Sequence, residues 1–212
     1  MLLRAPSGAG DGGPLRVWRV MGPTHRLLGA SAGTAWAVQQ HLSPAQTAIG
    51  IGLAVLTSAG HTSPDLDQAW LWHRADDVLP DELLGRGGPM QHRGLMHWWG
   101  LPLAAALAAA LLMPAASRWA VGAALAGWVS HLAGDLIFGK PDVRSSRGPG
   151  IPVLPWWGHV GLGLGVDGVL ERVVVQRLAL PCLLAWQVLD AFGLASPLWS
   201  RLGRAATLAW SG

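Results

Sequence analysis

The chain has 212 residues, 51% of them hydrophobic and 13% charged, with a formal net charge of +3 and a mean hydropathy of +0.35. A soluble domain carries about 25% charged residues, so this composition excludes an ordinary soluble globule and points to an integral membrane protein whose first partners are membrane lipids. No basic stripe is interleaved with aromatics in a soluble segment, so no nucleic-acid partner is implied, and the single Cys182 excludes an intrachain disulfide and speaks against a cysteine metal cluster.

Residues 1–20 are Gly-, Pro- and Arg-rich without periodicity and read as a flexible N-terminal extension. Their apolar part is too short for a signal-peptide core, so no cleavage is expected, and Met21, where the organised sequence begins, is a candidate start. An apolar segment rich in Gly, Ala and Ser runs from about His25 to Gln39 and suits close helix packing. After a turn at His41-Leu42-Ser43-Pro44, a second segment runs from about Ala45 to Ala59. Both are shorter than the roughly 20 residues of a standard membrane span. His61-Thr62-Ser63-Pro64-Asp65-Leu66-Asp67 follows. Pro64 ends the helix, and two aspartates two apart in extended chain point to one side.

Residues 68–91 are polar and read as a solvated loop. His92 and His97 are five apart, about 140° round a helix, so they straddle a loop-to-helix junction. Leu101–Ala116 reads as the clearest spanning helix, Arg118 as the turn, and Trp119–Phe138 as the next helix. Residues 140–157 return to loop, with Pro141, Pro149, Pro152 and Pro155, and 160–166 is weakly organised. A last helix is expected over about Asp167–Phe192, kinked at Pro181, before a short tail over 196–212. The expected fold is all-α: a polytopic membrane bundle of about five segments, with 21–195 as one membrane-embedded domain. Trp70, Trp72, Trp98, Trp99, Trp119, Trp156 and Trp157 fall at segment ends, as interfacial anchors do.

Within the fourth segment, Gly127–Leu136 sets His131 and Asp135 four residues apart. Four residues turn a helix by about 400°, so both lie on one face. Ionisable groups at membrane depth face a protein interior or a wet cavity. Imidazole with carboxylate is a common metal-ligand pair; the alternative is a His–Asp hydrogen bond that locks two helices. If the segments alternate in direction, the starts of odd segments and the ends of even ones share a side. His25, Asp65, Asp67, His92, His97, His131 and Asp135 then meet near one face, and Glu171, early in the last helix, joins them. Arg16, Arg19, Arg26, Arg74, Arg86, Arg93, Lys140, Arg144 and Arg147 fall on that side, and Arg118 alone falls in the short connections opposite. The positive-inside tendency therefore puts the cluster at the cytoplasmic end.

These motifs resemble the YdjM-like family of LexA-regulated, inner-membrane metal-dependent hydrolases. The matching pieces are Thr24-His25, Pro64-Asp65-Leu66-Asp67, His92-Arg93-Gly94 with His97, Ser130-His131 with Asp135, Gly150-Ile151-Pro152 with Leu154-Pro155-Trp156, and Leu170-Glu171-Arg172. They occur in family order over about residues 21 to 180. The resemblance implies a metal-dependent hydrolase of the inner membrane, an activity that is itself inferred for most members. The family is distantly similar to zinc-dependent phospholipase C, which implies phosphoester hydrolysis. The chain departs from the family pattern at Gln68, where a His often follows the aspartate pair. It departs also at Met96 and Trp98, which stand beside His97 in place of Thr and Ser, and at Phe138, in place of a Thr.

The resulting expectation has His25, Asp65, Asp67, His92, His97, His131 and Asp135 as metal ligands, a mixture that suits zinc or manganese better than calcium. Asp67 or Glu171 would take the proton from an activated water. Arg93, with His92, either binds an anionic substrate group or anchors the chain at the cytoplasmic surface. A site at the membrane surface suits a lipid or lipid-linked phosphoester. His61 and His159 lie on the same side outside the core motifs, and His41 and His73 are expected to carry no function. Two other readings stand. A non-enzymatic scaffold would hold a structural metal in a closed shell, where an enzyme needs an open position. A metal or proton transporter would need polar residues continuing across the membrane, and the inner halves of the segments are nearly all Ala, Leu, Val and Gly.

Overall fold

The computed structural model describes residues 18–60, 62–65, 93–139, 150–155, 157–164 and 170–194. The expectations for Asp67, His92, His61, His73, the solvated loop, most of the N-terminal extension, the basic loop and the tail lie outside these residues. The described part is mostly helical. It comprises α1 (Trp18–Gln39), α2 (Pro44–Ser58), α3 (Gly100–Leu112), α4 (Ala115–Phe138) and α5 (Leu180–Ala191). A 3-10 turn, Leu95–His97, leads into α3, and a π-helical stretch, Leu170–Ala179, leads into α5. Between α4 and that stretch, β1 (Ile151–Leu154) and β2 (Trp157–Val160) form an antiparallel hairpin.

Local chemistry sets the boundaries. α1 begins at Trp18, ahead of the expected start at His25. Ser43 caps α2 through a reciprocal box with Gln46, and Pro44 occupies the first turn, where its missing N–H costs nothing. The turn expected at Arg118 lies instead at Pro114. Pro114 cannot continue α3, so α3 stops at Leu112 and α4 starts at Ala115. Arg118 sits in the first turn of α4 and donates from Nε to Met113 O at 3.0 Å. With 13 residues, α3 is about 20 Å long, too short for the clearest span. Among the described residues, the stretches long and apolar enough to cross a membrane are Ala115–Phe138 and Val173–Ala191. Beside Pro181, where a kink is expected, the winding changes from π to α at Leu180, and the proline, with no N–H to donate, occupies the first turn of α5.

The burial pattern is inverted relative to a soluble protein. Leu103, Leu107 and Leu111 of α3, Leu56 of α2 and Leu183 of α5 are exposed, while Thr24, His25, Thr34, Ser58, Ser63, His131 and Asp135 are buried. Water would penalise that arrangement; a hydrocarbon surround does not. The helices meet through small residues. A Cβ at Gly29 would lie 2.0 Å from Ser58 Oγ, one at Gly33 2.8 Å from Ala54 Cβ, and one at Gly127 2.1 Å from Ala54 O. This contact brings α1, α2 and α4 together at backbone distance, and Thr57 Oγ1 donates to Ala124 O at 2.6 Å across it. α5 is tied to α1 by the hydrogen bond of Ser31 Oγ to Gln187 Oε1, and the π-helical stretch by Gln176 Nε2 to Thr24 Oγ1 at 2.8 Å.

The hairpin was expected to be loop. It closes on α4: Leu162 N–H donates to Leu136 O at 2.7 Å and Leu164 N–H to Ile137 O at 3.1 Å. These bonds satisfy carbonyls that the end of a helix leaves open. They also bring the hairpin to the end of the bundle that carries His131 and Asp135.

Candidate metal centre

The cluster is assembled from separate pieces of chain, each placed by a local device. His25 comes from α1. Asp65 follows a turn in which Ser63 Oγ donates to Gly60 O at 2.7 Å and accepts from Asp65 N–H at 3.3 Å. His97 closes the 3-10 turn before α3, and His131 and Asp135 lie one above the other on α4. The alternation argued from the apolar segments holds for these five residues: starts of α1 and α3, ends of α2 and α4, meet at one end.

His97 Nε2 and His131 Nε2 are 3.4 Å apart. Asp135 Oδ2 lies 3.3 Å from the first and 3.5 Å from the second. Asp65 Oδ1 lies 3.5 and 3.8 Å from the same two nitrogens. These separations are long for hydrogen bonds. Donors held tetrahedrally at about 2.0–2.1 Å from one divalent ion sit about 3.3–3.4 Å from each other, close to the 3.3–3.5 Å among His97 Nε2, His131 Nε2 and Asp135 Oδ2, while Asp65 Oδ1 stands wider at 3.5 and 3.8 Å from the two histidines. His131 adds a second sign. Its Nδ1–H donates to Ser58 O at 2.8 Å, which leaves the Nε2 lone pair aimed at the other donors, the outer-shell arrangement of metal-bound histidines. The donor set therefore fits a divalent metal.

Asp135 faces two ways. Its Oδ1 lies 3.6 Å from His25 Nε2 and 3.8 Å from an Arg93 guanidinium nitrogen, on the other oxygen from His97 and His131. The His25 ring stacks on that of His131, with centroids 4.0 Å apart. His25, His131 and Asp135 form one group able to hold a metal, and Asp65, His97 and His131 another. All but Asp65 are almost wholly buried; the Asp65 side chain is 22% exposed and marks the outer side of the cluster.

Arg93 is 5% exposed, which corrects the reading of it as a surface anchor. Its backbone is in the left-handed region at φ +59°, a conformation of order 1–3 kcal/mol above the usual basins for a non-glycine residue. His159 holds it there, donating from Nε2 to Arg93 O at 3.3 Å. His159 and Ser58 are the supporting groups that the sequence did not single out for these roles. His159 had a signal, since it lies on the motif side. Ser58 had none, because its contribution is a backbone carbonyl. His41 sits exposed in the turn between α1 and α2, away from the cluster. Glu171 lies on the π-helical stretch, in a part whose side chains are not described.

A helical bundle that is apolar outside and carries a buried His/Asp cluster at one end defines a membrane protein with a candidate metal centre. The family model described as YdjM inner membrane protein matches residues 20–196, and the chain belongs to that family. Comparison with curated proteins and with solved structures finds no match.

Proposed function

We propose that the chain is a metal-dependent hydrolase of the inner membrane that cleaves a phosphoester, with its site at the cytoplasmic end of a bundle of about five membrane segments. The observation that carries the reading is the convergence of His97, His131 and Asp135 within 3.3–3.5 Å of one another, with Asp65 3.5–3.8 Å from both histidines. Zinc or manganese suits this donor set. A divalent metal there supplies Lewis-acid polarisation and acidifies water. The chain's own residues do the rest. Ser58 O fixes the His131 tautomer. Asp135 engages His97 and His131 through one oxygen and leaves the other beside Arg93 and His25. Arg93 offers a buried cation to an anionic substrate group. Asp67 or Glu171 accepts the proton from the attacking water, and His92 assists in holding the metal or the anion.

The cytoplasmic placement rests on Arg118, which caps α3 at the end remote from Asp135, about 25 Å along α4 at 1.5 Å per residue. By the alternation of the segments, the basic residues of the other connections fall on the cluster's side, while Arg201 and Arg204 in the tail would fall opposite under five crossings. A structural metal in a non-enzymatic scaffold is the second reading, favoured by the near-complete burial of His25, His97, His131 and Asp135, since an enzyme needs an open position at its metal. The deciding experiment measures metal content and hydrolysis of phosphoester and phospholipid substrates for purified wild type and Asp135→Asn. Metal-dependent turnover lost in the variant supports the hydrolase; bound metal without turnover on any substrate supports the scaffold; a folded wild type that takes up no metal overturns both.

A further inference from the structure

We propose that the β1–β2 hairpin is a lipid-embedded wall of the site, so that the cluster borders the bilayer rather than the cytosol on that side. The register pairs Pro152 with His159 and Ile151 with Val160. Paired residues in an antiparallel ladder share a face. Pro152 is buried, and His159 reaches Arg93 O, so at this pair the face looks at the cluster, while Leu154, on the same face beside the turn, is exposed. The opposite face carries Ile151, Val153 and Val160; Val153 is 41% and Val160 53% exposed, and the strand exit adds exposed Leu162 and Leu164. A hairpin with one face in water alternates apolar-in and polar-out. Here the outward face is as apolar as the inward one.

Two further observations name the occupant as lipid. Trp99, Leu103, Leu107 and Leu111 follow one another at four-residue spacing and are all at least half exposed, so they form one stripe along α3. Its Trp99 end touches the hairpin, where Trp99 Nε1 donates to Val153 O at 3.2 Å. The apolar outside of the bundle thus continues onto the hairpin without a polar break at the contact. The backbone is prepared as well. An open strand edge is costly in hydrocarbon, and Val153 O accepts from Trp98 Nε1 at 3.0 Å as well as from Trp99, while the exit strand's Leu162 and Leu164 N–H groups are spent on α4. Indole rings satisfying a strand carbonyl at the edge of an apolar band place the hairpin at headgroup depth. Where the cluster acts as proposed above, this wall admits an amphiphile whose chains stay in lipid. The location of the hairpin itself does not depend on that reading.

The test places a nitroxide on Val153→Cys and, separately, on Val160→Cys, in a Cys182→Ser background, in proteoliposomes of neutral and anionic phospholipid. Collision rates with oxygen and with a water-soluble nickel chelate are compared with those at Leu107→Cys on the α3 stripe and Gln40→Cys in the exposed α1–α2 turn. Both hairpin positions are expected to favour oxygen, as Leu107→Cys does, at a shallower depth. Nickel accessibility equal to that of Gln40→Cys at both positions overturns the proposal. So does protection from both reagents with spin–spin broadening, which would mean that a second copy covers the face. Neither outcome bears on metal content or hydrolysis, so the hairpin and the hydrolase can fail separately.

Discussion

Gly134 is packed against the ring of His25: a Cβ at this position would come within 2.8 Å of His25 Cε1 and 2.9 Å of Nδ1. The residue next to Asp135 therefore has no side chain because α1 presents its histidine there. The His25 ring and the α4 backbone at Gly134 are both buried, so neither can yield easily. Gly134→Ala is expected to push His25 away from Asp135 Oδ1 and to destabilise the fold by about 1–3 kcal/mol, as overpacking does. Thermal unfolding in detergent reads the stability. Metal titration of the same protein reads whether His25 contributes to binding.

The two oxygens of Asp135 rank the histidines. His97 and His131 converge with Oδ2 and Asp65, whereas His25 approaches Oδ1. His97→Ala and His131→Ala are expected to weaken metal binding by more than the roughly 10–100-fold that loss of a supporting hydrogen bond costs. His25→Ala is expected to stay within that range. Competition with a chromogenic chelator measures all three, with size-exclusion elution as the check on folding. Equal loss in all three would place the metal on the His25 side instead.

Much of this site was legible because the apolar segments alternate in direction. Once His25, Asp65, His97, His131 and Asp135 were assigned to segment ends, up-and-down connectivity brought them together without knowledge of any packing angle. The i, i+4 spacing of His131 and Asp135 is the same kind of information. What sequence did not yield depended on contacts between segments. The hairpin is short and interrupted by Pro152 and Gly158, so its composition matches a loop, and it is fixed from outside by Trp98, Trp99 and the end of α4. Arg93 reads as one more basic residue near a membrane surface; its burial follows from where Asp135 and His159 lie. In the sequence Arg118 is the conspicuous break because it is a charge in an apolar run, whereas the chain turns at Pro114, which cannot continue α3.

Bound metal stabilises only the state in which its ligands are assembled. Asp65, His97, His131 and Asp135 come from the α2–α3 connection, the turn before α3, and α4, so unfolding separates them. Removing metal with a chelator is expected to lower Tm, and adding zinc or manganese back to restore it, by an increment that grows with free metal concentration. At 100-fold excess over Kd the linkage is about 2.7 kcal/mol. Asp135→Ala should abolish the dependence on metal. A Tm that does not respond to chelation in metal-loaded wild type counts against a site coupled to the fold.

Gly127 and Gly52 make opposite demands on the same helix pair. A Cβ at Gly127 would meet Ala54 O at 2.1 Å and Thr57 Oγ1 at 2.3 Å, whereas one at Gly52 meets nothing within 4 Å. Gly127→Ala is expected to force α4 from α2, to break the Thr57 bond to Ala124 O, and to cost about 1–3 kcal/mol. Because Ser58 lies on the same helix, it should also detune His131 and weaken metal binding. Gly52→Ala should leave both properties unchanged, or raise stability slightly through helix propensity. Unfolding curves for the two variants side by side distinguish backbone contact from a general intolerance of substitution in α2 and α4.

Arg93 combines a left-handed backbone with a buried cation beside Asp135 Oδ1, and two substitutions separate these features. Arg93→Ala removes the guanidinium and keeps a Cβ in the left-handed region, which costs roughly 1–2 kcal/mol for an L residue. Arg93→Gly removes the guanidinium and the strain together. Both are expected to retain metal, because Arg93 lies on the oxygen of Asp135 that faces away from His97 and His131. Both should lower kcat/KM for a phosphoester by roughly 10²-fold or more if the guanidinium stabilises charge on the reacting group. The glycine variant should be the more stable of the two by about 1 kcal/mol in metal-loaded protein. Equal stability would mean that the turn held by His159 accommodates a Cβ at this position without strain; loss of metal in both would assign the guanidinium to holding Asp135 in place.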